Sequence, residues 1–139
     1  AHGMSYPVSG MVRDYQPDGY PDDHPIVSHG ISVILNAPAV FRFTASADPE
    51  RHLSAARLLG VDTAGAAGAD AGAILTNTVI DLIRATGMPN GLAAIGFTDA
   101  DVDALAAGTL PQHRVTKLSP RPADEDDLRG LFRDAMSYW

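Results

Sequence analysis

The sequence predicts an all-α domain, and three observations lead there. Apolar residues recur three and four positions apart over several stretches, as a single buried helix face requires. Each stretch is bracketed by helix-starting residues such as Asp, Ser or Thr and by helix-stopping Gly or Pro. No segment alternates apolar and polar residues over a useful strand length, and no repeat of about 20 to 50 residues is present. The expectation is one helical domain over residues 1–139, with roughly five to seven helices.

Taken in order, residues 13–28 read as a loop. They hold three prolines and four aspartates, and proline removes backbone donors and biases its predecessor away from helix. From Ser28, a suitable N-cap, the chain turns apolar, with Ile31, Ile34, Leu35 and Val40 able to share a face. Pro38 should kink or shorten this element. The next helix has Asp48 as its cap, Pro49 in its first turn and Glu50 at its positive end, with Leu53, Ala56 and Leu59 as the stripe and Gly60 as the stop.

Residues 66–86 follow, with Ile74, Val79, Leu82 and Ile83 on the core face and Gly87 and Pro89 at the end. Thr98 to Asp101 resembles a capping pattern before Val102 and Leu105, and Gly108 is expected to stop that helix. Asp124 to Asp127 places four acids at the positive end of a last helix. Leu128, Leu131, Phe132, Ala135 and Met136 face inward from it.

Composition narrows the function. The chain is 45% hydrophobic and 19% charged, with a formal net charge of -7. Such acidity offers no electrostatic footprint for nucleic acid, and no basic helical face for an anionic membrane. No apolar run reaches the roughly 18 to 20 residues of a membrane span; the richest, Ile31 to Phe43, is broken by Asn36, Pro38 and Arg42. With no cysteine, disulfides, thiolate metal sites and a cysteine nucleophile are excluded.

The histidines carry what chemistry there is. His2 and His29 both precede glycine, which lets a metal, substrate or cofactor approach the backbone. Imidazole is a common ligand for zinc and iron. Spacing and composition alone favour the plainer reading, that both are partly exposed histidines at helix ends. His24 sits beside Asp22 and Asp23 in the acidic loop, a ligand trio or simply a solvated turn. His52, next to Arg51, reads as a surface residue. His113, Arg114, Thr116 and Lys117 form a basic segment suited to a carboxylate or to solvent. Glycine-rich nucleotide loops are absent.

Four segments then carry a resemblance: A-H-G-M-S-Y-P-V-S-G; H-P-I-V-S-H-G-I-S-V-I-L-N-A-P-A-V-F; P-E-R-H-L; and G-T-L-P-Q-H-R-V-T-K-L-S-P-R-P. Together they closely resemble the iron-containing (group III) alcohol dehydrogenases, and within them the hydroxyacid-oxoacid transhydrogenase branch. The resemblance covers essentially the whole chain. It implies the helical C-terminal domain of a dehydroquinate synthase-like fold, whose N-terminal α/β domain binds NAD and is absent from this chain.

The resemblance also implies a divalent metal, Fe2+ or Zn2+, with His2 and His29 as two ligands. An Asp-x-x-x-His pair, the other half of the family's ligand set, has no counterpart here and is expected upstream of Ala1. Many alcohol-oxidising members carry a second histidine where this chain has Tyr6, a candidate proton relay; the transhydrogenase branch shares the tyrosine and the longer loop at residues 13–28. Arg114 and Lys117 are the implied grips on an acidic substrate. In R-V-T-K-L-S-P-R-P, Ser119 stands where relatives have asparagine.

The implied reaction oxidises 4-hydroxybutyrate to succinate semialdehyde and passes the hydride through NAD to 2-oxoglutarate, giving 2-hydroxyglutarate. The alternatives are an NAD(P)-dependent alcohol dehydrogenase of the same family, or a stand-alone, non-catalytic helical module. The isolated chain is expected to be inactive. A homodimer is implied by the family, and the expected location is the cytoplasm, or the mitochondrial matrix in a eukaryote.

Overall fold

The computed structural model describes residues 1–21 and 23–139. Among them are eight α-helices, four 3₁₀ turns and no strand, so the all-α expectation holds. The helices are α1 (His2–Met11), α2 (His29–Ile34), α3 (Ala37–Thr44), α4 (Pro49–Leu58), α5 (Ala71–Ala85), α6 (Val102–Thr109), α7 (His113–Thr116) and α8 (Glu125–Asp134).

Helix starts follow local chemistry. Asp48 Oδ1 accepts the Arg51 N–H at 3.0 Å and opens α4, with Pro49 in its first turn. At α8 the cap is reciprocal: Asp124 Oδ1 accepts the Asp127 N–H at 2.8 Å, and Asp127 Oδ2 accepts the Asp124 N–H at 3.2 Å. Pro38 ends one helix and begins another. α2 stops at Ile34, and α3 starts at Ala37 with the proline in its first turn, where no N–H is needed. The stretch His29–Ala47 has the length and mean hydropathy, 1.2, of a membrane span. It is not one continuous helix, and Leu35, Asn36, Ala37, Pro38 and Ala39 are buried in the protein's own core.

The main core joins α1, α2, α6 and α8 through Val8, Leu35, Leu105 and Phe132, each fully buried. A second cluster sits between α4 and α5, around Ala56, Leu75, Val79 and Ile83. Leu82, expected in that core, is 45% exposed because it lies off the Val79–Ile83 face.

Gly108 does not end α6. It lies inside the helix, where a Cβ would come within 2.8 Å of Pro7 Cβ. The glycine is there so that α1 can press its proline against α6. Gly3 plays the same part against α7, since its Cβ would meet the Thr116 methyl at 2.7 Å.

One long-range ion pair ties the loop after α1 to the start of α6. Arg13 donates to both Asp101 oxygens, at 2.8 and 3.0 Å, and Thr98 N–H adds a bond of 2.8 Å. The Arg13 guanidinium holds the Asp101 carboxyl well below the usual carboxylate range. A depressed folded-state pKa stabilises the fold while both states are ionised, above about pH 4. The stabilisation is lost as the pH falls and the unfolded chain takes up the proton first. Asp101→Asn is therefore expected to lower the urea midpoint at pH 7, with the gap from wild type narrowing below about pH 4.

Candidate functional site

Two helix starts built alike meet at this site. α1 begins H-G-M-S and α2 begins H-G-I-S. In each, the serine three residues on turns its hydroxyl back to the histidine carbonyl: Ser5 Oγ donates to His2 O at 2.8 Å, and Ser32 Oγ donates to His29 O at 2.9 Å. Both serines are buried. Asn36 Nδ2 donates to Ser32 O at 2.7 Å, extending the bracing of α2 into the core. The repeated serine was readable in the sequence, and is a stronger signal than the repeated glycine.

These helix starts bring the rings of His2 and His29 together, with centroids 5.3 Å apart and planes tilted by 52°. Both residues are exposed, their carbonyls accept the serine hydroxyls, and among the described residues their ring nitrogens have no hydrogen-bond partner. A tetrahedral ion bound through one nitrogen of each ring at about 2.1 Å sets the centroids roughly 5 Å apart. The pair therefore fits two neighbouring ligands of one divalent ion. Among the described residues, no group of three or more His, Asp or Glu could hold a metal. The glycines differ: Gly3 is packed, while a Cβ at Gly30 would meet nothing within 4 Å.

Tyr6 lies one turn beyond His2, on the same face of α1. Arg114 Nη2 donates to Tyr6 Oη at 2.9 Å, so the predicted substrate grip touches the predicted proton relay instead of standing alone. Lys117 lies with His113 in a cleft of about 540 Å³. Of the loop trio, His24 Nδ1 meets Asp23 Oδ1 at 2.6 Å with both side chains exposed, and Asp22 lies outside the described residues.

A cavity of about 490 Å³ opens beside His2, walled by Met4, Val40, Phe41, Phe43, Leu75 and Leu131 among others. His52 and Arg51 line it too. His52 is not a surface residue, because it is only 7% exposed. Burial is tolerated because both ring nitrogens are used. Nδ1 donates to Asp48 O at 2.7 Å, and Nε2 faces Thr44 Oγ1 at 3.1 Å. The Asp48 carbonyl can only accept, so Nδ1 carries a proton, and the Thr44 hydroxyl also lies 2.9 Å from Val40 O. The missed signal was the four-residue step from His52 to the buried Ala56; Leu59, assigned to the stripe, is 47% exposed.

The chain is thus an all-helical domain that carries paired imidazoles beside an apolar cavity. Residues 24–136 match the C-terminal model of the Fe-containing alcohol dehydrogenase family, and the chain belongs to that family. It is 51% identical over 139 residues to the probable mitochondrial hydroxyacid-oxoacid transhydrogenase of Dictyostelium discoideum, covering 99% of this chain and 25% of that protein. It is also 51% identical to the mitochondrial hydroxyacid-oxoacid transhydrogenase of Homo sapiens, covering 99% of this chain and 30% of that protein. The chain thus spans between a quarter and a third of the length of these relatives. Among solved structures, an alcohol dehydrogenase from Oenococcus oeni matches with a TM-score of 0.80 and 26% identity, over 96% of this chain and 31% of that one. A 1,3-propanediol oxidoreductase shares the fold, with a TM-score of 0.80 at 24% identity over 96% of this chain and 31% of that one.

Proposed function

We propose that this chain is the metal- and substrate-binding part of a hydroxyacid-oxoacid transhydrogenase, working with an N-terminal NAD-binding domain of the same protein. The observation that carries the proposal is the His2–His29 pair, held at 5.3 Å by two matching helix starts. The identity of 51% to transhydrogenases across the whole chain supports the branch, as does tyrosine at position 6.

His2 and His29 hold one divalent cation, Fe2+ or Zn2+, together with ligands from the N-terminal part. When bound, the cation supplies Lewis-acid polarisation of a substrate oxygen and NAD supplies hydride exchange. Tyr6 handles the proton. Arg114 occupies a lone pair of its oxygen and fixes its orientation, leaving the O–H to exchange a proton with a substrate oxygen. Lys117 adds positive charge on the same side of the domain as α7. The apolar cavity wall receives the carbon chain of a short hydroxy acid and keeps water from it.

Atoms balance across the two halves. 4-Hydroxybutyrate loses a hydride from carbon and a proton from oxygen, giving succinate semialdehyde. 2-Oxoglutarate gains both and becomes 2-hydroxyglutarate. In a eukaryote the relatives' location favours the mitochondrial matrix, and the family favours a homodimer.

The test uses full-length protein, 4-hydroxybutyrate and 2-oxoglutarate, with no NAD added. Equal amounts of succinate semialdehyde and 2-hydroxyglutarate are expected. Oxidation of 4-hydroxybutyrate only when NAD or NADP is added stoichiometrically would make the protein an ordinary dehydrogenase. The isolated 139-residue chain is expected to turn over nothing, since it supplies only two ligands and no nucleotide loop.

A further inference from the structure

The cavity beside His2 is unusual in its charges. The chain carries 17 acidic residues against 10 Lys and Arg, yet no Asp or Glu is among the described residues lining the cavity. Its charged or chargeable lining side chains are those of His2, His52 and Arg51. An apolar pocket with a guanidinium at its rim and no carboxylate favours an anion.

Most of its polar side chains are already committed. Thr44 and His52 bond each other. Thr109 donates to Leu105 O, Thr116 to Gln112 O and Ser119 to Arg121 O. That leaves the His2 imidazole and the Arg51 guanidinium. Arg51 has only a loose ion-pair contact, its Nε lying 3.9 Å from Asp48 Oδ2, and its side chain is 85% exposed at the rim. α4 anchors it: the Arg51 N–H is held by the Asp48 cap, and its neighbour His52 is locked into the core.

We propose that Arg51 is the residue that selects a carboxylate-bearing substrate. It binds the far carboxylate while the reacting oxygen sits at His2, and the apolar wall of the same cavity takes the methylene chain. The guanidinium fork suits a carboxylate through two parallel hydrogen bonds. This rests on the enzymatic reading above and adds a specificity residue to it, distinct from Arg114, which is engaged by Tyr6.

The experiment compares 4-hydroxybutanoate with butane-1,4-diol, a primary alcohol of equal chain length without the carboxylate. Full-length wild type, Arg51→Gln, Arg51→Lys and Arg114→Gln are assayed, with circular dichroism to check folding. Arg51→Gln is expected to raise KM for 4-hydroxybutanoate about tenfold to thirtyfold, the range of a lost hydrogen-bonded charge contact. Its kcat and its KM for the diol should stay near wild type, and Arg51→Lys should recover part of the loss. A folded Arg51→Gln enzyme with an unchanged substrate ratio would overturn the proposal, as would a loss of carboxylate preference confined to Arg114→Gln. Wild type that oxidises neither substrate would instead sink the enzymatic reading, and this proposal with it.

Discussion

His29→Ala in the full-length protein is expected to lose bound metal and activity together. His29 opens α2, whose first turn is braced by Ser32 and Asn36, which fixes where the ring is anchored. Among the described residues, no other imidazole or carboxylate stands with the pair. Losing one ligand should weaken metal affinity by at least about 100-fold, since even supporting partners of ligands cost about 10- to 100-fold. Activity should fall on the order of a thousandfold, because several kcal/mol of charge stabilisation depends on the ion. Metal analysis of the purified variant beside wild type and His24→Ala checks this. His24, exposed in the loop, should keep its metal at wild-type content.

The second large effect is on the fold. Phe132 is completely buried in the main core, on the α8 face that also carries Leu128 and Leu131. Phe132→Ala is expected to cost about 3 to 5 kcal/mol through lost burial and an unfilled cavity. A domain of this size holds only about 5 to 15 kcal/mol in all, so the variant should be close to unfolding. Leu58→Ala is the comparison: that side chain is 89% exposed, and its loss should change stability by less than about 0.5 kcal/mol. Urea titrations of both variants give the difference directly.

Helices that announce themselves with caps were legible in the sequence. Asp48 caps through its side chain, as read, Asp124 opens the acidic helix start that was expected, and the turns at Gly60 and Gly87 are left-handed, with φ of 95° and 69°. α1 was not legible, because Pro7 sits inside it and a proline argues against helix wherever nothing else is known. The role of Gly108 was equally hidden. A glycine near a helix end reads as a stop, and only the approach of Pro7 from a distant segment shows that it is a contact.

The site divides the same way. His2 and His29 were singled out from the His-Gly repeat, but spacing alone favoured exposed helix-end histidines. The resemblance pointed to ligands, and the 5.3 Å approach of the rings is tertiary information. Arg114 was expected to grip substrate, yet its bond to Tyr6 spans 108 residues and has no local signal. His52 was misjudged because a histidine beside an arginine looks solvated, whereas its partners are a backbone carbonyl and a threonine one turn and two turns back.

The measurement that bears most directly on this account is anomalous diffraction from crystals of the full-length protein, recorded at the iron and zinc edges. The account predicts one strong peak lying about 2.1 Å from a ring nitrogen of both His2 and His29. A peak elsewhere, or metal-replete protein with none between these two rings, would contradict it.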